Sequence, residues 1–161
     1  MKPLRSLFSL ITLLTLLSCT PTPENVQKIH DLPLIYPYYC DVTIPENIAP
    51  LNFLLRADCE AVEVKVGDLS INARGNEVVF DMDDWKDMLS QNAGQEIEVT
   101  VSALINDQWI EYQSFRWQVV KDKIDPYLTY RLIEPDYEIW NQIQIQQRCI
   151  ENFETNALGQ S

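Results

Sequence analysis

Four cysteines, one histidine and 24 acidic side chains are the groups that could do chemistry in this 161-residue chain. Their spacing decides which chemistry is open to them. Cys19, Cys40, Cys59 and Cys149 never fall within four residues of one another. That excludes a zinc knuckle, a redox C-x-x-C and a haem-attachment C-x-x-C-H. Cys40, Cys59 and Cys149 allow at most one internal disulfide, the alternative being buried free thiols. His30 is the single histidine and stands in a linker-like stretch, so no Ser–His or Cys–His nucleophile–base pair can be assembled. Four glycines form neither G-x-x-x-x-G-K nor G-x-G-x-x-G, so nothing is offered to a phosphate. Asp83 and Asp84 could act as paired carboxylates, but negative charge there also suits a helix N-terminus. Asp81, Asp83 and Asp87 approach a Ca²⁺ spacing without the Gly and terminal Glu of an EF-hand. The expectation is a chain without catalytic residues, metal or cofactor. Trp109, Trp117 and Trp140 could stack on a sugar ring, although Trp117 alternates with apolar neighbours and is expected in the core.

One cysteine does sit in a chemical context. Lys2 and Arg5 precede an uncharged apolar run from Ser6 to Leu17. That run suits a signal-peptide core and is too short for the ~20 residues of a membrane span. It ends in Leu16-Leu17-Ser18-Cys19, which resembles a bacterial lipobox: a thiol to take the lipid thioether, and a small residue before it for the peptidase. No A-x-A-like cleavage site competes with it. Residues 1–18 are therefore expected to be a cleaved lipoprotein signal peptide, and the acyl chains on Cys19 to anchor the chain in a bilayer. The first residues after Cys19 contain no acidic run of the kind associated with surface export. The expected location is the outer membrane, on its periplasmic face.

Loss of Lys2 and Arg5 with the signal takes the formal charge from −12 to −14. Such a surface repels nucleic acid and anionic lipid. With 46% apolar residues the chain is expected to fold, and the mature length suits about one domain.

The elements follow from periodicity. Residues 19–31 contain Pro21 and Pro23 and read as a tether. Leu32 to Phe53 is rich in Pro and aromatics, read as extended segments with one short strand near Asp41 to Ile44. Val62, Val64 and Val66, then Ile97, Val99, Val101 and Ala103, then Phe115, Trp117 and Val119 alternate with polar residues, as antiparallel strands with one solvated face do. Asn72 to Asn76 reads as a turn before Val78 to Phe80, and Asn106-Asp107-Gln108 as a hairpin loop. Trp85, Met88 and Leu89 after Asp83-Asp84 predict one short helix. About seven strands over roughly 75 residues predict an immunoglobulin- or fibronectin-like β-sandwich. Residues 32–124 are assigned to it. Residues 125–161 are read as an extension of two strands, Tyr127 to Ile133 and Gln142 to Ile150 around a Pro135-Asp136 turn, with a frayed tail from Asn156.

Two passages carry a family resemblance. One is Tyr36-Pro37-Tyr38-Tyr39-Cys40-Asp41-Val42-Thr43-Ile44-Pro45-Glu46-Asn47-Ile48-Ala49-Pro50-Leu51-Asn52-Phe53. The other is Asp125-Pro126-Tyr127-Leu128-Thr129-Tyr130-Arg131-Leu132-Ile133-Glu134-Pro135-Asp136-Tyr137-Glu138-Ile139-Trp140, followed by Gln146-Gln147-Arg148 and Glu151-Asn152-Phe153. They resemble the N-terminal region of Bacteroidota lipoproteins in which a small β domain precedes a Tol-type, WD-like β-propeller, some members being described as cytochrome-c-like. The resemblance spans nearly all of residues 32–158. Tyr38 and Asp136 stand where Asp and Gly are expected, and Ser161 is reached ahead of the family's cysteine–histidine motif and propeller. It implies an envelope lipoprotein whose residues 125–161 would begin a propeller, and it carries neither haem nor propeller function onto these residues.

The functional expectation is a non-catalytic, membrane-anchored interaction module with an envelope protein as partner. Tyr36, Tyr38, Tyr39, Trp109 and Trp140 are its candidate surface. The alternative is a carbohydrate-binding accessory lipoprotein.

Overall fold

The computed structural model describes residues 21–132 and 144–160. The expected signal peptide 1–18, Cys19, the expected Pro135-Asp136 turn, Trp140 and Ile143 lie outside the described residues. Among the described residues the fold is all-β with one helix, and its strands form three sheets, two of which share one core.

The larger sheet is organised by one long strand. β8, Glu96–Ile105, holds β5, Ala61–Val66, along one edge, and β5 in turn pairs with β6, Leu69–Arg74. Its other edge carries β10, Phe115–Val120, beside its first half and β9, Gln108–Glu111, beside its second half. β8 and β9 join through Asn106 and Asp107, at φ of 51° and 60°. Two consecutive left-handed residues make the hairpin turn whose twist matches the strands, and Asn and Asp tolerate that conformation best after Gly. β1, Gln27–Lys28, extends the sheet beyond β9, and β3, Val42–Pro45, beyond β10. Both outer pairings are parallel, where an antiparallel sheet was expected. Long intervening chain makes this possible, since parallel neighbours need a crossover rather than a tight turn.

The second layer is a small sheet of β2, Ile35–Tyr36, β4, Phe53–Leu55, and β7, Glu77–Val78. Helix α1, Met82–Gln91, continues this layer. Asp81 is its N-cap, the side chain accepting from the backbone N–H of Asp83 at 2.9 Å and of Asp84 at 3.2 Å. The helix thus starts ahead of Asp83-Asp84 rather than after it, and these two carboxylates occupy its positive first turn. Trp85, Met88 and Leu89 are its buried face.

Between the layers lies an aromatic core. Trp85 meets Trp117 edge-on at 5.6 Å, and Phe80 sits 4.9 Å from Trp85. Each indole N–H finds a carbonyl: Trp85 Nε1 donates to Ile48 O at 2.9 Å, Trp117 Nε1 to Tyr39 O at 2.7 Å. The alternating residues Ile97, Val99, Val101, Ala103, Phe115, Trp117 and Val119 are all buried. The expected polar face is less uniform: Glu63 is only 7% exposed and keeps an ion pair with Lys65 at 3.0 Å.

Three segments differ from the sequence expectation. β6 runs through the residues read as a turn from Asn72, with the reversal confined to Gly75 and Asn76. Gly75 has φ of +74°. The tail is ordered as β13, Thr155–Gln160, beside β12, Gln144–Cys149, which pairs with β11, Tyr127–Leu132. Among the described residues the C-terminal region therefore holds three strands, where two were expected. The tether is partly strand: besides β1, the backbone N–H of Ile29 donates to Glu111 O at 2.9 Å, and Lys28 pairs with Glu111 at 2.6 Å.

The C-terminal sheet is held to the sandwich around Asn47 and Ala49. Ala49 N–H donates to Ile150 O, and the Asn47 amide donates to Ile124 O at 2.9 Å and Glu151 Oε1 at 2.8 Å. Leu128, Leu132 and Ile145 remain exposed.

The register of β8 is directly testable. Val101→Asp places an unpaired charge among buried neighbours and should cost about 3 kcal/mol or more. Thr100→Asp, one residue along and opposite Lys65, should cost under about 1 kcal/mol. Urea unfolding of the two variants checks this, and equal losses would contradict the register.

Candidate functional site

The small sheet has two faces of different character. Period two turns Ile35, Phe53, Leu55 and Val78 into the core, where all are buried. It turns Tyr36, Leu54 and Glu77 outward, and extends to Leu34 and Arg56 beyond one end and Val79 beyond the other. The outward residues are unusually apolar for solvent: Leu34 is 67% exposed, Tyr36 56%, Leu54 41% and Val79 55%. The Arg56 guanidinium lies 4.9 Å over the Tyr36 ring, and its backbone N–H donates to Leu34 O at 2.7 Å. A cation over an exposed ring is worth about 0.5–1 kcal/mol, enough to bias the orientation of Tyr36. A contiguous apolar face with one cation and one carboxylate is what a protein–protein contact presents before it forms.

Of the five residues expected on the recognition surface, two are exposed near this face. Tyr36 belongs to it, and Tyr38, 61% exposed, follows two residues later. Tyr39 is half-buried and gives its carbonyl to Trp117. Trp109 is buried, 5% exposed. It pairs with Leu104 on the sheet face away from the main core, and the arm Pro21–Asn25 shares a pocket with both. Gln108 Nε2 fastens that arm by donating to Asn25 O at 2.8 Å. Trp109 is thus a cover for an edge, not a sugar platform, which removes one of the two aromatics behind the carbohydrate alternative. Trp140 lies outside the described residues. Leu34, Leu54, Arg56 and Val79 were missed. Their signal was present in the outward parity of β4 and β7, but three- and two-residue strands are too short to show a period.

Two of the thiols, Cys40 and Cys59, have their pKa raised. Burial pushes the Cys40 thiol up, and its Sγ lies 3.9 Å from Pro33 O. Burial, helped by the Asp58 charge, does the same for Cys59, whose Sγ faces Gly75 O at 3.5 Å. The neighbouring Cys40 raises the Tyr38 phenol in turn. Cys40, Cys59 and Cys149 are all free thiols. No three His, Cys, Asp or Glu side chains converge as metal ligands among the described residues. No helix among them is long and apolar enough to cross a membrane.

No protein-family model matches this chain, and no curated protein or solved structure matches it significantly.

Two outcomes follow. Deleting residues 21–29 should uncover Trp109, shifting tryptophan emission to the red and raising acrylamide quenching. The change should vanish in a Trp109→Phe background, and its persistence there would show that another indole responds. For Cys40 and Cys59, a raised pKa in the folded state means that these thiols ionise first in the unfolded chain. Folded stability is then intact below the ordinary thiol pKa of about 8.5 and falls as pH climbs above it. Near that pH, iodoacetamide should modify native Cys40 and Cys59 far more slowly than in the denatured chain, as peptide mapping would show.

Proposed function

We propose that this chain is a lipid-anchored, non-catalytic interaction module of the bacterial envelope, docking a partner protein on the outer face of its small sheet. The observation that carries the reading is that face: Leu34, Tyr36, Leu54 and Val79 stand in solvent on a rigid strand scaffold. Isolated exposed apolar residues are ordinary on a monomer, while a contiguous set on one sheet face marks a place for another surface. Arg56 and Glu77 supply a polar rim of both signs, suited to a protein and not to nucleic acid. Two layers packed on a tryptophan core support an immunoglobulin- or fibronectin-like sandwich as the scaffold.

Leu16-Leu17-Ser18-Cys19 supports the anchor, placed at the periplasmic face of the outer membrane. The resemblance of residues 32–158 to the region ahead of Tol-type propellers supports a role in presenting a larger envelope assembly.

The two halves of the reading are tested separately. Cys19→Ala should abolish labelling by a fatty-acid analogue and release the protein from the membrane fraction. A photo-cross-linking residue in place of Tyr36 should capture a defined envelope protein in living cells, and Leu54→Asp should suppress the capture without lowering the Tm. Labelling that survives Cys19→Ala would overturn the anchor. Capture indifferent to Leu54→Asp would overturn the docking face.

A further inference from the structure

We infer that the sandwich stands upright on the bilayer, with the Asn106-Asp107 turn facing the membrane and the C-terminal sheet carried at the opposite pole. This inference rests on the proposed acylation of Cys19 and goes beyond it, because a lipid on a free tether would leave the domain without orientation.

The argument is one of strand direction and covalent reach. β1 runs parallel to β9, Gln27 beside Ile110 and Lys28 beside Glu111. Traced backwards from Gln27, the chain therefore heads toward the start of β9. It does so in contact: Asn25 O accepts from Gln108, and Pro21, Thr22, Glu24 and Asn25 line one pocket with Leu104, Asp107, Gln108 and Trp109. Pro21 thus lies at the turn end of the β8–β9 hairpin. Two residues span at most about 7 Å, so the acylated Cys19 must be within that reach of the same end.

The other pole follows from the remaining pairings. β10 continues the direction of β9, and β3 runs parallel to β10, ending with Pro45 beside Val120. Glu46 N–H donates to Val120 O at 3.1 Å. Asn47 and Ala49, which hold Ile124, Ile150 and Glu151, come directly after. Along β8, whose Ile105 pairs with Gln108 and whose Glu96 pairs with Gln118, the two ends are nine strand steps apart, about 30 Å at the usual rise. The attachment point of the C-terminal sheet is therefore removed from the bilayer by roughly the length of the domain.

The full acylated protein in phosphatidylethanolamine vesicles tests this, with a headgroup-linked energy-transfer acceptor in the lipid. A fluorescent amino acid replaces Asp107 in one variant and the exposed Asp122 in another, leaving the cysteines untouched. Energy transfer should be several-fold more efficient from position 107 than from 122. Inserting a ten-residue Gly/Ser segment between Thr20 and Pro21 restores a free tether and should erase most of that difference, as should deleting residues 21–29; a difference that survives the insertion would overturn the arm as the source of the posture. Equal transfer from both positions, or greater transfer from 122, would overturn the upright arrangement and leave the anchor intact. Protein that fails to float with the vesicles would overturn both, and flotation separates that failure from the first.

Discussion

Two buried indole N–H groups hold this fold together. Trp85 comes from the helix and Trp117 from the large sheet, and their rings meet edge-on at 5.6 Å. Neither nitrogen can reach water. Each instead donates to a main-chain carbonyl of the Pro-rich segment, Ile48 for one and Tyr39 for the other. Leaving either unpaired would cost about 1–3 kcal/mol. The aromatic core therefore dictates where a segment with little regular structure must lie. That segment contributes β2 and β3, so the tryptophan pair sets both the inner face of the small sheet and one margin of the large one. The outward display of Tyr36 and Leu54 is the other side of that constraint: with Ile35, Phe53 and Leu55 fixed inward, strand alternation leaves them no choice.

The same reasoning explains the margins of the large sheet. A long strand such as β8 needs partners along both edges, and no single strand covers its second edge. β9 and β10 divide it, and the short β1 and β3 then finish each half. Parallel pairing suits both, because they arrive from distant parts of the chain. Closing the β9 edge with the arm also hides Trp109, which would otherwise be a large exposed ring beside an open row of backbone donors.

Legibility in the sequence tracked the strength of periodicity. β5, β8 and β10 were readable because five or more residues alternate, and the helix because Trp85, Met88 and Leu89 share a face after Asp83-Asp84. β6 alternates as Leu69, Ile71 and Ala73, but with Ser, Asn and Arg between them and Gly75 after, so turn chemistry masked it. β13 is Thr-Asn-Ala-Leu-Gly-Gln, weak in intrinsic strand preference, and it forms because β12 offers an edge; tertiary context outweighs propensity there. β1 is two residues in a polar stretch, and its pairing comes wholly from β9. The site was partly legible for the same reason. Tyrosine enrichment pointed to Tyr36 and Tyr38, while the burial of Trp109 depends on a long-range contact that no local pattern encodes.

The docked arm also bears on how the exposed face would be used. A flexible tether of about a dozen residues lets a domain sample every orientation, so a partner meets its docking face only part of the time. Residues Asn25 to Ile29 are instead held to β9 by backbone pairing, a side-chain amide and the Lys28–Glu111 ion pair. A sheet whose strands rise from the bilayer has faces that point sideways, parallel to the membrane plane. The Leu34, Tyr36, Leu54 and Val79 face would then be directed at neighbours anchored in the same leaflet, and the C-terminal sheet at molecules farther from it. An arm that fixed posture in the way inferred would turn one apolar sheet face into a lateral contact and one small appended sheet into a distal one, without any change in the sandwich between them.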